Sequence, residues 1–176
     1  MPSRPTHLPD AMPEIKNPTL LIVCDSHKCR LIDVGGRTLL EKEIIESKEE
    51  KFTDRRDSVR GPSGIMSGVG DLNQADLHRL KDFANVVSKH IDQSLRAQKI
   101  DEMYLSAPGK FLSILTDHLS VAAKKVLRKK IEGNFIKEPS TEILLRFIPE
   151  LKTAVESLRD QENYSTRKHL PKKGKK

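Results

Sequence analysis

The stretch that decides the fold is TLLIVCDSHKCRLIDVGGRTLLEKEIIE, residues 19–46. Residues 20–24, which follow Thr19, are a continuous apolar run, and such a run is typical of a buried strand. Two more strand-like runs follow at residues 29–34 and 37–46. A polar turn at 25–28 separates the first two runs. The pair Gly35–Gly36 separates the last two, because glycine adopts a positive φ without steric cost. The stretch therefore predicts a three-stranded antiparallel meander.

A long helix is predicted after residue 70. Asp71 and Gln74 have the spacing of a capping box, with Asn73 as a competing cap. The apolar residues that follow recur at the 3.6-residue period of one helix face: Leu77, Leu80, Ala84, Val87, Ile91 and Leu95. A helix with one apolar face packs that face against a sheet or another helix.

The second half of the chain predicts a crossover unit. Residues 103–107 predict a short buried strand. A helix predicted from Pro108 to His118 or Leu119 begins with the proline that favours a first helical position. A further strand lies near residues 130–136, so the two strands pair in parallel in one sheet. Ser140 caps a last helical region, which Pro149 interrupts.

The order β-β-β-α-β-α-β-α gives the predicted fold class. It describes an α/β fold with a ribonuclease-H-like mixed sheet: an antiparallel meander extended by parallel strands, with helices packed on the sheet. Simple flavodoxin-like folds do not begin with a meander.

Length and composition indicate one domain. The 176 residues are 36% hydrophobic and contain no Trp, so we expect an aliphatic core. We predict a flexible leader over residues 1–17, a single α/β domain over 18–163 and a disordered basic tail over 164–176. The apolar runs are too short to span a bilayer, and the first residues lack the apolar segment of a signal peptide. We therefore expect a cytoplasmic protein without a membrane partner.

Residues 47–70 predict a long, mobile surface loop within the domain. The segment is crowded with charge and then with small residues, and it holds four of the nine glycines. Loops longer than about 15 residues are usually functional or disordered.

The net charge of +7 lies mostly at the end of the chain. From Ser165 onward there are six basic residues and no acid, which leaves +1 for the rest. Such an arm binds nucleic acid through phosphates, or it serves only as a solubilising end. Our candidate nucleic-acid-binding residues are the arginines of the loop and the cations of the tail: Arg55, Arg56, Arg60, Arg167, Lys168, Lys172, Lys173, Lys175 and Lys176.

The sequence predicts no catalytic residue, metal site or cofactor. A two-metal nuclease needs several carboxylates converging on ions about 4 Å apart. The candidates are Asp25 at the end of the first strand, Asp33 on the second, and Glu41 and Glu43 on the third. Asp33, Glu41 and Glu43 fit an outward alternation on a half-exposed meander better. The turn 107–110 offers helix-terminal amides to an anion, but it lacks P-loop spacing and we interpret it as an ordinary turn.

The two cysteines are five residues apart, at Cys24 and Cys29. No second ligand pair follows, so the spacing does not indicate zinc. We interpret them as two reduced, half-buried thiols flanking a hairpin turn.

Three segments together resemble a known family: LLIVCDSHKCRLIDVGGRTLLEKEII at residues 20–45, DLHRLKDFANVVSKHI at 76–91, and MYLSAPGKFLSIL at 103–115 followed by IEGNFIKEPSTEIL at 131–144. Their order and spacing resemble the bacterial "host attachment" proteins. These are small relatives of the middle domain of archaeo-eukaryotic peptide-chain release factors and Pelota. The resemblance covers about residues 18–148.

The resemblance implies a role for the loop at 47–70. In release factors the corresponding loop bears a Gly-Gly-Gln motif that reaches the peptidyl-transferase centre of the ribosome. Here the loop has no two adjacent glycines, and Gln74 lies beyond it at the helix start. The departure argues against peptide release.

Two main hypotheses of function follow. The first is a non-enzymatic module that associates with ribosomes or structured RNA. The second is a protein–protein adaptor that serves attachment to host cells, as the family's name suggests. A metal-dependent nuclease is a third, less favoured alternative.

Overall fold

The computed structural model describes residues 5–10, 12–47, 68–153 and 156, with the backbone alone at 68–73. The predicted meander is present. Its strands are β2 (Ile15–Cys24), β3 (Lys28–Gly36) and β4 (Thr38–Glu46), paired in antiparallel fashion; a short strand β1 (Thr6–His7) precedes them in the chain. The hairpin between β3 and β4 turns one residue later than predicted, because Gly35 pairs with Thr38 and Gly36 alone has a positive φ, 58°.

Two parallel strands extend the meander on its β2 side. Strand β5 (Glu102–Ala107) pairs with β2, and β6 (Leu127–Glu132) pairs with β5. The sheet order is β1-β4-β3-β2-β5-β6. This confirms the predicted α/β fold with a mixed sheet. Strand β6 begins and ends before the predicted 130–136, and Gly133, the residue after it, has a φ of 157°.

Three helices cover one face of the sheet. Helix α1 spans Gly68–Ala97, α2 spans Gly109–His118 and α3 spans Val121–Val126. The predicted apolar face of α1 points inward, and Phe83 joins it by stacking on Phe111 of α2 at 5.3 Å between ring centroids. Helix α1 begins three residues before the predicted start at Asp71, and the sequence analysis did not predict α3.

The opposite face of the sheet has a second core. Helix α4 (Ser140–Phe147) packs there, and helical residues 149–153 follow the predicted break. Ser140 begins α4, but its side chain caps no backbone N–H. Instead, its hydroxyl accepts a hydrogen bond from Arg30.

The chain before β2 contributes to this second core. Strand β1 pairs with β4, and the side chains of Leu8 and Met12 are buried, as is that of Ile15 at the start of β2. A flexible leader over residues 1–17 was therefore the wrong prediction for this described part. The sequence missed it because a two-residue strand is too short to show periodicity.

Within the described residues, none of the helices is long and apolar enough to cross a bilayer.

Candidate nucleic-acid interface

The predicted binding residues lie outside the described part of the chain. The loop arginines Arg55, Arg56 and Arg60 fall between residues 47 and 68, and the tail cations follow residue 156. The structure does define the two elements that flank the loop segment, β4 before it and α1 after it. It leaves the sheet after β4 and rejoins the described chain at Gly68, in the backbone of α1.

The start of the loop is fixed by the turn between β2 and β3. The Ser47 amide donates to the His27 carbonyl at 2.6 Å, and Lys28 pairs with Glu46 at 2.7 Å. The turn itself is closed by Asp25, whose carboxylate accepts from the amides of His27 and Lys28 at 2.7 Å each. The loop therefore emerges from a hydrogen-bonded end of the sheet.

The carboxyl ends of the parallel strands lie at this same end of the sheet. Ser106 is fully buried, and its hydroxyl donates to the Gly133 carbonyl at 3.2 Å. The Glu132 carboxylate lies so close to Gly109 that a Cβ there would overlap it. An external anion at the first turn of α2 would meet this negative charge, which favours the interpretation of 107–110 as an ordinary turn.

The carboxylates considered for metal binding each have a separate partner. Asp33 pairs with Lys42 at 2.7 Å and Glu43 with His90 at 2.8 Å, on the α1 side of the sheet. Glu41 pairs with Arg30 at 2.9 Å on the α4 side. The sequence had suggested outward-facing charges on a solvated strand. In the structure these carboxylates instead form specific ion pairs. No group of three or more potential metal ligands converges among the described residues.

The cysteines differ from the prediction. Cys24 and Cys29 are directly opposite in the β2–β3 pairing, both are fully buried, and they form a disulfide. The interpretation as two reduced, half-buried thiols is therefore corrected. The short turn places the two side chains opposite each other, and the spacing alone did not reveal this.

The structure adds a basic surface that the sequence prediction did not include. Five of the seven residues from 124 to 130 are basic, and all five are exposed: Lys124, Lys125, Arg128, Lys129 and Lys130. We call them the edge strip, because β6 is the last strand of the sheet in the part of the chain that the structure describes. The density of positive charge was visible in the sequence, but the edge position depends on strand order.

The start of the edge strip adjoins a small polar cluster. Glu102 accepts hydrogen bonds from Asn17 at 3.0 Å and from the Tyr104 hydroxyl at 3.1 Å, while Arg128 lies 4.0 Å away. Burial, and then the hydrogen bond to Glu102, raise the pKa of Tyr104 to about 12. Tyr104 therefore stays a neutral donor to Glu102 at physiological pH.

Comparison with family models assigns most of the chain. The model described as "Bacterial archaeo-eukaryotic release factor family 12" matches residues 18–146. A comparison with curated proteins finds no significant match.

Solved structures with a similar fold include two translation factors. One is S. cerevisiae Dom34, described as a translation termination-like factor involved in RNA quality control pathways and interacting with Hbs1. It is 15% identical, with a TM-score of 0.46 over 87% of this chain and 41% of that one. The other is the archaeal translation termination factor aRF1, 13% identical, with a TM-score of 0.48 over 88% and 40%. This chain thus spans about two fifths of the length of these proteins.

Proposed function

Because the chain belongs to bacterial archaeo-eukaryotic release factor family 12, we propose that it is a non-catalytic module that associates with ribosomes or structured RNA. The observation that carries the proposal is the segment between β4 and α1, which starts at a hydrogen-bonded end of the sheet and contains Arg55, Arg56 and Arg60. The segment corresponds, by the resemblance described above, to the loop in which release factors bear their Gly-Gly-Gln motif. Without that motif, the module would bind without releasing peptide.

The charge distribution supports binding through phosphates. Arginine and lysine side chains that neutralise phosphates release condensed counterions, so the affinity falls steeply as salt rises. The loop arginines and the tail cations would supply these contacts, while the nearly neutral remainder of the chain contributes shape.

The first prediction concerns binding to ribosomes purified from the protein's own cells. We expect the full chain to sediment with ribosomes at low salt and to dissociate as salt rises. Deleting residues 165–176, or combining Arg55→Gln, Arg56→Gln and Arg60→Gln, should weaken binding and reduce the salt slope by about 0.7 to 0.9 per lost phosphate contact. Sucrose-gradient sedimentation over a salt series measures both quantities.

A matched control removes three exposed cations from α1: Lys81→Gln, Lys89→Gln and Arg96→Gln. We call it the α1 control variant, and it should sediment like the full chain. Absence of co-migration at the lowest salt would overturn the proposal. Release of labelled peptide from stalled ribosomes would overturn its non-catalytic part.

The alternative hypotheses give different outcomes. Affinity purification with and without ribonuclease separates an RNA tether from direct protein contact. Partners that survive the digestion would favour a protein–protein adaptor, including one for host attachment. RNA cleavage that requires Mg²⁺ or Mn²⁺ and is abolished by Asp25→Asn would instead favour a nuclease.

A further inference from the structure

The edge strip belongs to a paired strand and to a helix that packs on the core. Strand β6 pairs with β5, with Lys129 opposite Tyr104 and Lys130 opposite Leu105; the register shifts between Leu127 and Lys129, at Arg128. Val126 and Leu127 pack against the core beneath the strip, and Ala123 of α3 is buried. The cations therefore project from a backbone that is held by strand pairing and by core packing.

The charges of the strip are weakly neutralised by the protein itself. Only Arg128 has a carboxylate within ion-pair distance among the described residues, and Glu102 lies at the outer limit of 4.0 Å. Lys124 and Lys129 donate to the backbone carbonyls of Asp117 and Phe147, both at 3.3 Å. A carbonyl carries no net charge, so the positive potential of the strip remains.

The strand geometry places these charges on both sides of one edge. Successive side chains of a strand point to opposite faces. Lys129 therefore lies on the α4 side, where it reaches the Phe147 carbonyl, and Lys130 lies on the α1 side. Lys124 and Lys125 continue the charge along α3. The result is a cationic ridge that a polyanionic backbone can follow.

Lysines on an edge strand have a structural explanation as well. Charged residues there prevent two sheets from pairing edge to edge. This segment, however, has five cations, and among the described residues only Arg128 has a carboxylate within ion-pair distance, at 4.0 Å. A peptide that added a strand to β6 would need pockets for its alternate side chains, and β6 presents cations where those pockets would have to lie. Phosphate groups need no such pockets, because they bind the positive charges directly.

We propose that the edge strip is an RNA phosphate-binding surface, made of residues other than the candidate cations of the loop and the tail. This inference rests on the proposed association with ribosomes or structured RNA and adds a further contact surface to it. Lysine and arginine at such positions bind the backbone without reading its sequence.

The second prediction compares two variants with equal charge change. The strip variant combines Lys125→Gln, Arg128→Gln and Lys130→Gln, and the α1 control variant is its counterpart. Fluorescence anisotropy with a labelled RNA hairpin, over a salt series, gives affinity and salt slope. Loss of three phosphate contacts should weaken binding about 10- to 100-fold at low salt and reduce the slope by about 2 to 3, with no change in the control.

Each other outcome decides against the surface. If the full chain binds the hairpin and the strip variant matches the control, the inference is wrong while the proposed function stands. If the full chain binds neither hairpin nor ribosome, the proposed function itself fails. If polyglutamate at the same charge concentration abolishes the part of the RNA affinity that depends on the strip and leaves the rest unchanged, the surface belongs to an acidic protein.

Folding and self-association are checked in the same experiment. Circular dichroism and the urea midpoint establish that the variants are folded. A second variant, with Lys125→Glu, Arg128→Glu and Lys130→Glu, keeps the edge charged and should bind still more weakly. If the glutamine variant self-associates while the glutamate variant is monomeric and retains full RNA affinity, the strip serves only to protect the edge.

Discussion

Arg30 is the side chain that ties the sheet to the segment before α4. Its guanidinium pairs with both carboxylate oxygens of Glu41, at 2.9 and 3.2 Å. It also donates to the carbonyls of Ile136 and Glu138 and to the Ser140 hydroxyl, at 2.7 to 2.9 Å. The Arg30 side chain is only 12% exposed. One planar donor group thus satisfies five acceptor atoms of four residues, which belong to separate parts of the chain.

The third prediction is that Arg30→Gln lowers the free energy of unfolding by about 3 kcal/mol, because it leaves the Glu41 carboxylate partly buried without its cation. Urea unfolding followed by circular dichroism measures the change. Arg30→Lys should recover only part of the loss, since an ammonium lacks the planar fork.

An exposed cation provides the comparison for Arg30. Lys99→Gln breaks the pair with Asp101, in which the lysine is 82% exposed, and should cost less than about 1 kcal/mol. Equal effects of the two substitutions would show that Arg30 is not a structural tie.

The β3–β4 hairpin depends on one glycine of its pair. Gly36 has a φ of 58°, a conformation that costs other residues about 1 to 2 kcal/mol. A Cβ at Gly35 would meet nothing within 4 Å, and Gly35 has no positive φ. The two adjacent glycines therefore differ in conformation, although they look equivalent in the sequence.

The fourth prediction follows from that difference. Gly36→Ala should destabilise the protein by about 1 kcal/mol, whereas Gly35→Ala should be neutral or slightly stabilising because it restricts the unfolded chain. Thermal unfolding of the two variants side by side gives the result. An equal effect at both positions would contradict the observed turn.

Element boundaries separate what was predictable from what was not. The periodic face of α1 identified its buried residues from Leu80 to Ile91, and the structure confirms them. Its beginning was misplaced because the glycines before Asp71 resemble a loop, yet they continue the helix. Strand β6 was displaced because consecutive basic residues carry no alternation of polarity, and pairing with β5 rather than propensity sets its position.

At the scale of the whole molecule, the sheet separates two cores. One lies beneath α1, α2 and α3, and the other lies beneath α4 and the residues before β2. Leu8 is 3% exposed in the second core, so the early part of the chain contributes to the stability of the domain.

The fifth prediction tests that contribution. Leu8→Ala should lower the free energy of unfolding by about 2 to 4 kcal/mol, because it removes buried methyl groups and leaves a cavity. Thr6→Ala, at an exposed neighbour in β1, is the matched control and should change stability little. Chemical unfolding of both variants measures the difference. If Leu8→Ala leaves the free energy of unfolding unchanged, the segment before β2 does not contribute to the stability of the domain.

The meander, the face of α1 and the crossover were determined by the sequence itself, because apolar periodicity and turn chemistry are local properties of consecutive residues. The tertiary structure alone decided three features: the contacts of Arg30 with residues 136–140, more than 100 residues away in the chain, the burial of Leu8, and the edge position of the five cations. These features depend on which distant segments reach the same face or edge of the sheet. A local sequence pattern does not show which distant segments will meet, since each segment carries only its own hydrophobicity and charge.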